Sequence, residues 1–302
     1  ALLQHRVAGL KFSGTAFTNL TQDHLDYHGD MENYFATKRR LFEMQTMPAE
    51  QLVNVDDPFG KRLMREFDAR TFGEAEEATF RITDLTLGQR KTRFQISGNE
   101  YCMPLIGRHN VANAAAAVGL ARGIGISADE CAKALATAEP VPGRLEPIHC
   151  GQPFAVYVDY AHTDDALRQV LITLREITPG RLHVIFGCGG NRDIGKRFKM
   201  GAVAAELADT SCITTDNPRH ENPELIADQI AEGCASVSKS GWRVEPDRER
   251  AIDEILRAAN PGDTVLIAGK GHETYQEIEG VVMPFDDREI ARAVLTAMEA
   301  AH

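Results

Sequence analysis

From residue 154 onward the chain alternates short, β-rich apolar runs with helical stretches, and every run ends in a polar signature. FAVYVDY (154–160), RLHVIFG (181–187), SCITTD (211–216) and DTVLIAG (263–269) read as buried strands. Helical spacing fills the intervals near 165–177, 198–208, 223–236 and 248–259. Alternation of this kind predicts an α/β fold, a parallel sheet with helices on both faces. Ligands of such sheets bind beyond the carboxyl ends of the strands. DYAHT, GCGGNRD, TDNPR and AGKGHE each follow one of the predicted strands. A site is therefore expected along that edge.

The first half is patterned differently. MENYFATKRRLFEM (31–44) has helical spacing behind a possible cap at Asp30. QLVNV (51–55) reads as a strand that ends in an Asp56-Asp57-Pro58 turn, and 79–87 and 92–97 as antiparallel strands. An Ala-rich helix is expected at 109–122 and another at 128–138. PVPGR (140–144) sets two prolines and a glycine between regular patterns. That places the boundary between two domains, 1–143 and 144–302, and the length of 302 residues suffices for both.

Charge narrows the function classes. The formal net charge is -11 and no Lys/Arg-rich run could track a nucleic-acid backbone, so a nucleic-acid partner is not expected. The six cysteines are scattered without a C-x-x-C pair and read as reduced thiols of a cytoplasmic protein. No apolar run approaches the roughly 20 residues needed to cross a bilayer. The chain opens at Ala1 without a methionine, inside what reads as an element already begun, so a piece of a longer protein is expected.

Several segments carry candidate chemistry. TNLTQDHLDYHGDMENYFATKRRLF (18–42) packs Asp23, His24, Asp26 and His28 ahead of a helix that contains Lys38. Oxygen- and imidazole-rich loops suit a divalent cation, but a solvated capping loop and a snorkelling lysine fit the spacing equally. GRHNVANAAAA (107–117) starts a helix with Asn110 and Asn113, which alone suggests only a cap. TDNPRHENP (215–223) makes a stiff turn that carries Arg219, whose planar fork suits a carboxylate. A turn that merely leads into the next helix remains the alternative. FGCGGNRDIGKR (186–197) and AGKGHETYQ (268–276) combine glycines, whose amides can approach an anion, with Arg192, Lys196 and Arg197.

Taken together and in order, these segments resemble the Mur ligase family of peptide ligases. The resemblance rests on D-H-x-D followed by Y-x-x-x-K (Asp23, His24, Asp26; Tyr34 to Lys38), G-x-H-N-x-x-N, DYAHT, DNPR and GKGHE. It implies the remnant of a central ATP-binding domain followed by a Rossmann-like, amino-acid-binding C-terminal domain. It implies Mg²⁺ held by His24 and by Lys38 carbamoylated with CO₂, with His162 near the phosphate chemistry. Asn110 and Asn113 would lie near adenine, and Arg144 and Asp159 near the ribose and phosphates of ATP. Arg6 matches a position that contacts the nucleotide-sugar substrate. In this family Asp216, Asn217, Pro218 and Arg219 mark members that accept meso-diaminopimelate, and Arg192, Gly269 and Glu273 match positions that hold that amino acid.

The implied reaction is ATP-dependent amide formation between meso-diaminopimelate and the D-glutamate of UDP-MurNAc-L-Ala-D-Glu, through an acyl phosphate, in a cytoplasmic monomer of peptidoglycan biosynthesis. The phosphate loop G-x-x-x-x-G-K-[ST] does not occur in the sequence. The family places it upstream of residue 1, so the chain alone is expected to bind and not to turn over. Alternatives are a lysine-adding or folylpolyglutamate-type ligase, or a non-catalytic amino-acid-binding fragment. Two positions depart from the family pattern: Asp164 replaces a proline, and Asn191 replaces an aspartate.

Overall fold

The computed structural model describes residues 2, 4, 6–20, 30–44 and 50–300. It divides into two compact units, Ala1–Ala138 and Glu139–His302.

The first unit carries a mixed six-stranded sheet, ordered β1 (Gly14–Phe17), β2 (Glu50–Asn54), β3 (Arg70–Gly73), β4 (Phe80–Thr86), β5 (Thr92–Ile96) and β6 (Asn99–Met103). Pairing is parallel from β1 to β4 and antiparallel from β4 to β6. Helix α1 (Met31–Glu43) starts where Asp30 accepts the Asn33 N–H at 2.8 Å. The Asp57-Pro58 pair, read from the sequence as a turn, opens helix α2 (Pro58–Phe67) instead. Asp57 caps it and Pro58 sits in the first turn, where its missing N–H costs nothing. Helix α3 (Arg108–Gly123) lies against the sheet because its buried face is small: Ala114, Ala115, Ala116 and Gly119. Those residues pack with Leu52, Phe72, Phe80 and Phe94, each buried side chain of that size contributing about 1.5–3 kcal/mol. Helix α4 (Ala128–Ala136) starts in a reciprocal cap between Ser127 and Glu130.

The second unit is the doubly wound one. Its sheet runs β11 (Trp242–Val244), β10 (Thr210–Ile213), β9 (Leu182–Phe186), β12 (Thr264–Ala268), β8 (Ala155–Asp159) and β7 (Glu146–Pro147). All pairs are parallel except β7 with β8. Strands β9 and β12 are buried at every position, which explains why they read as unbroken apolar runs. Helices α5 (Asp164–Arg175), α6 (Gly195–Leu207), α7 (Pro223–Val237), α8 (Arg248–Ala258) and α9 (Asp287–Glu299) complete the unit. Asp164 occupies the first helical position of α5 behind the Thr163 cap, where an acidic side chain faces the positive end of the helix. A hairpin, β13 (Tyr275–Ile278) and β14 (Val281–Pro284), stands apart from the sheet. Strand order reverses around β12, so the loops after β8, β9, β10 and β12 emerge along one edge.

Among the described residues no helix is long and apolar enough to cross a membrane. All six cysteines are free thiols.

Candidate functional site

At the carboxyl edge of the second unit, the loops after β9 and β10 are locked together. Gly190 donates its N–H to Asn217 O at 2.9 Å. A Cβ at Gly190 would fall 1.9 Å from Pro218 O, so only glycine permits this approach. Below the contact, the Glu221 carboxylate accepts the Asn191 N–H and pairs with the buried Arg197 guanidinium at 2.9 Å. The Asn191 N–H is the main reason that the Glu221 carboxyl lies below its ordinary pKa. Asn191 returns a contact, its Oδ1 accepting the His220 N–H at 3.2 Å.

Arg219 closes the arrangement and is not aimed outward. Its backbone holds φ at 55°, a conformation uncommon outside glycine, and it is clamped by the hairpin. The Arg219 N–H donates to Glu277 O at 3.1 Å, and Arg219 O accepts the Glu279 N–H at 2.6 Å. The guanidinium folds back as well: Nη1 donates to Gly190 O at 2.7 Å, and Nε lies 3.3 Å from the Glu277 carboxylate. Two donors are thereby committed, which fixes the plane of the fork.

The loop after β12 supplies the opposite charge. The Glu273 carboxylate accepts from Asn217 Nδ2 at 2.9 Å and lies 3.5 Å from Lys270 Nζ. Lys270 is fully buried, donates to Asn217 Oδ1 at 3.1 Å, and sits over the Tyr275 ring. Burial pushes its ammonium below the usual lysine pKa. Behind it, Arg248 and Asp287 form a wholly buried bidentate pair at 2.7 and 2.8 Å. Arg248 also holds the end of β12 through Ala268 O at 2.9 Å. Asp216 is buried beside Gly269, whose N–H donates to Asp159 O at 3.1 Å.

The loop after β8 is tied down in the same way. Asp159 is buried and accepts the Leu145 and Ala161 N–H groups, both at 2.7 Å. Arg144 is exposed and lies over the Tyr160 ring at 5.0 Å. His162 is exposed with its Nδ1 2.9 Å from Tyr160 O, and Lys196 donates to His162 O at 2.8 Å. A Cβ at Gly143 would meet His272 N at 2.2 Å, so the Pro142-Gly143-Arg144 turn nests against the Gly269–His272 loop.

Comparison with known proteins bears directly on this edge. The Mur ligase middle-domain model matches residues 1–121, and the glutamate ligase domain model of the same family matches residues 143–271. The chain belongs to the Mur ligase family. Among curated relatives, the UDP-N-acetylmuramoyl-L-alanyl-D-glutamate–2,6-diaminopimelate ligase of Thermosynechococcus vestitus is 43% identical over 98% of this chain and 61% of its own length. The enzyme of the same name from Gloeobacter violaceus is 45% identical over 98% of this chain and 61% of its own length. A solved structure of a ligase of that name superposes with a TM-score of 0.74 at 34% identity, covering 99% of this chain and 63% of that one. The chain thus spans about three fifths of the length of the relatives it matches.

For this Mur ligase chain, the residues singled out in the sequence fall into three groups. Asp216, Asn217, Pro218, Arg219, Gly269 and Glu273 share one edge of the second unit and contact one another directly or through Lys270 and Gly190. Arg192 is exposed on the neighbouring loop after β9. In the first unit, Asn113 and Arg6 are exposed on separate elements. Asn110 does not cap its helix; its amide donates to Ile106 O at 2.8 Å, and Gly107 holds the cap position. Lys38 donates to Asn19 O at 3.2 Å and lies over the Tyr34 and Phe17 rings at 5.0 and 5.9 Å. That environment suits the ammonium. A carbamate on the same nitrogen would exchange ring faces for a negative charge and would need a cation beside it. The second expected metal ligand, His24, lies outside the described residues, as do Asp23, Asp26 and His28. The described residues thus supply one of the two expected ligands, and no step below runs through a metal.

Sequence reasoning passed over Lys270, Glu277 and the Arg197–Glu221 pair. Lys270 was visible within GKGHE; a lysine flanked by glycines at a strand end was the signal that it is held close to backbone.

Proposed function

We propose that this chain is part of a ligase that joins meso-diaminopimelate to the D-glutamate carboxylate of UDP-MurNAc-L-Ala-D-Glu at the expense of ATP, and that alone it binds without turning over. The observation that carries the reading is Arg219, held in a fixed plane by Gly190 and Glu277 on the same edge as Glu273. An amino acid with a carboxylate at its far end and an ammonium beside it meets complementary charge at both groups. Identity of 43–45% with ligases named for that reaction supports the same substrate.

In this reading the D-glutamate carboxylate oxygen attacks the γ-phosphorus of ATP and ADP leaves. The diaminopimelate amine, having lost a proton, adds to the acyl carbon. The tetrahedral intermediate collapses, inorganic phosphate departs, and the nitrogen sheds its remaining extra proton. The protein acts by positioning and charge compensation. Arg219 takes the distal carboxylate, Glu273 an ammonium, and Arg192, Gly269 and Asp216 are assigned to the same amino acid. Asn110 and Asn113 are assigned to adenine, Arg144 and Asp159 to ribose and phosphates, His162 to the phosphate neighbourhood, and Arg6 to the nucleotide-sugar. His24 and a carbamoylated Lys38 are assigned to Mg²⁺, which when bound offsets phosphate charge. Work on a cytoplasmic nucleotide-linked precursor belongs to the same proposal.

Calorimetric titration of the chain with meso-diaminopimelate and with L-lysine tests the substrate. A preference of about 10-fold or more for meso-diaminopimelate is expected, the equivalent of one charge-assisted contact. Equal affinities overturn the assignment in favour of a lysine-adding ligase.

A further inference from the structure

Lys270 poses a question that the amino-acid reading leaves open, since a fully buried ammonium is costly and an apolar side chain would fill the same space. Its surroundings supply the answer. Asn217 Oδ1 receives two donors, Lys270 Nζ at 3.1 Å and the Glu277 N–H at 3.0 Å. With its oxygen fixed from that side, the Asn217 amide must turn its Nδ2 to Glu273, which it meets at 2.9 Å. Lys270 Nζ approaches the same Glu273 oxygen, Oε2, at 3.5 Å. Both contacts hold Oε2, and the Glu273 side chain as a whole remains partly exposed.

Solvent access points the same way. The carboxylates of Asp216, Glu273 and Asp287 lie around Lys270. Asp287 is spent on Arg248 and Asp216 is buried, whereas Glu273 is partly exposed.

We propose that Lys270 is a positioning residue of this edge, locking the Asn217 amide so that the Glu273 carboxylate is aimed at the ammonium of an amino-acid ligand. The proposal rests on the amino-acid reading given above, and adds to it a residue that touches no ligand. Lys270 selects one rotamer of Glu273 and one orientation of Asn217, and the orientation supplies the affinity.

The test uses the whole chain and two readouts. Lys270→Met keeps the volume and removes the charge; Lys270→Gln keeps a donor towards Asn217 and guards against a folding failure of the first. Affinity for meso-diaminopimelate is expected to fall about 10-fold or more in Lys270→Met, the loss of one hydrogen bond to a charged group. In a Glu273→Gln background the same substitution should cost less than about 2-fold, because its effect runs through Glu273. An equal loss in both backgrounds overturns the proposal in favour of a general structural role. Independently of any ligand, a crystal structure of Lys270→Gln should keep Glu273 on Asn217 Nδ2, and one of Lys270→Met should show it released with β12 unmoved. Glu273 unshifted in Lys270→Met would overturn the proposal too. Should the native chain bind no meso-diaminopimelate, the amino-acid reading fails while the coordinates still decide the role of Lys270.

Discussion

The two units carry their candidate residues in opposite ways. In the second, Asn217, Lys270 and Glu273 bond to each other across the loops after β10 and β12, Arg219 bonds to Gly190 on the loop after β9, and strands β9 and β12 are buried at every position. In the first, Lys38 and Asn110 sit on helices and donate to backbone carbonyls, and Asn113 is exposed on the same helix as Asn110. A parallel sheet delivers loop ends to one edge by topology, so side chains far apart in sequence are forced to satisfy one another. The mixed sheet of the first unit imposes no such convergence. Mutual contact is thus a property of the second site before any ligand arrives, and the variants below ask how much of it is structural.

The largest effect is expected at the Arg248–Asp287 pair. Asp287→Asn would leave a guanidinium with no solvent access and no carboxylate in direct contact, and Arg248 Nη1 already lacks a partner. Breaking a buried pair in this way costs about 3–5 kcal/mol. Urea unfolding followed through Trp242, the single tryptophan and a residue of the second unit, measures it directly. A loss below about 1 kcal/mol would mean that water reaches the pair and that the edge is less rigid than its contacts imply. The exposed Arg62–Glu32 pair of the first unit is also bidentate, yet Glu32→Gln should leave the unfolding midpoint unchanged.

How much of this could be read from the sequence follows the same division. The strands and helices of the second unit were legible because buried parallel strands read as solid apolar runs and their loops as polar punctuation. Helix α2 was not, because Asp57-Pro58 signals a turn and a helix start alike, and only tertiary packing of Leu63 decides. The hairpin β13–β14 was passed over because its turn is Glu279-Gly280, both at positive φ, and not the usual Asn-Gly or Asp-Gly. That omission hid Glu277, and with it the clamp on Arg219. DNPR was legible as a stiff turn at a strand end; what holds it there lay sixty residues downstream and followed only from the fold.

A smaller effect, on the opposite edge of the second sheet, comes from acid. Burial alone would raise the Asp263 carboxyl, but the Asn260 and Arg181 N–H groups outweigh it and hold it below the usual aspartate range. A carboxyl whose folded pKa is depressed stabilises the fold above its unfolded value near 4, and that stability drains away as pH falls through the lower, folded value. The second unit should therefore weaken below about pH 4, with a contribution from Asp263 on the order of 1 kcal/mol. Asp263→Asn should flatten that acid limb in Trp242 fluorescence and leave the limb above pH 6 parallel to the native one. An unchanged acid limb would assign the sensitivity to other carboxylates.

The smallest effects separate structure from recognition in the first unit. Asn110 is half-buried and its amide satisfies Ile106 O, so Asn110→Ala should cost about 1 kcal/mol in the circular-dichroism melt. Asn113 is exposed three residues on, and Asn113→Ala should not move the melt at all. If both asparagines face adenine, nucleotide affinity must fall in the two variants alike, although their stabilities differ. Affinity that tracks stability instead, falling only in Asn110→Ala, would make Asn110 a helix-start residue and Asn113 a bystander. Either result sharpens the contrast: in the second unit the candidate residues bond to one another, whereas here stability and affinity can be taken apart one side chain at a time.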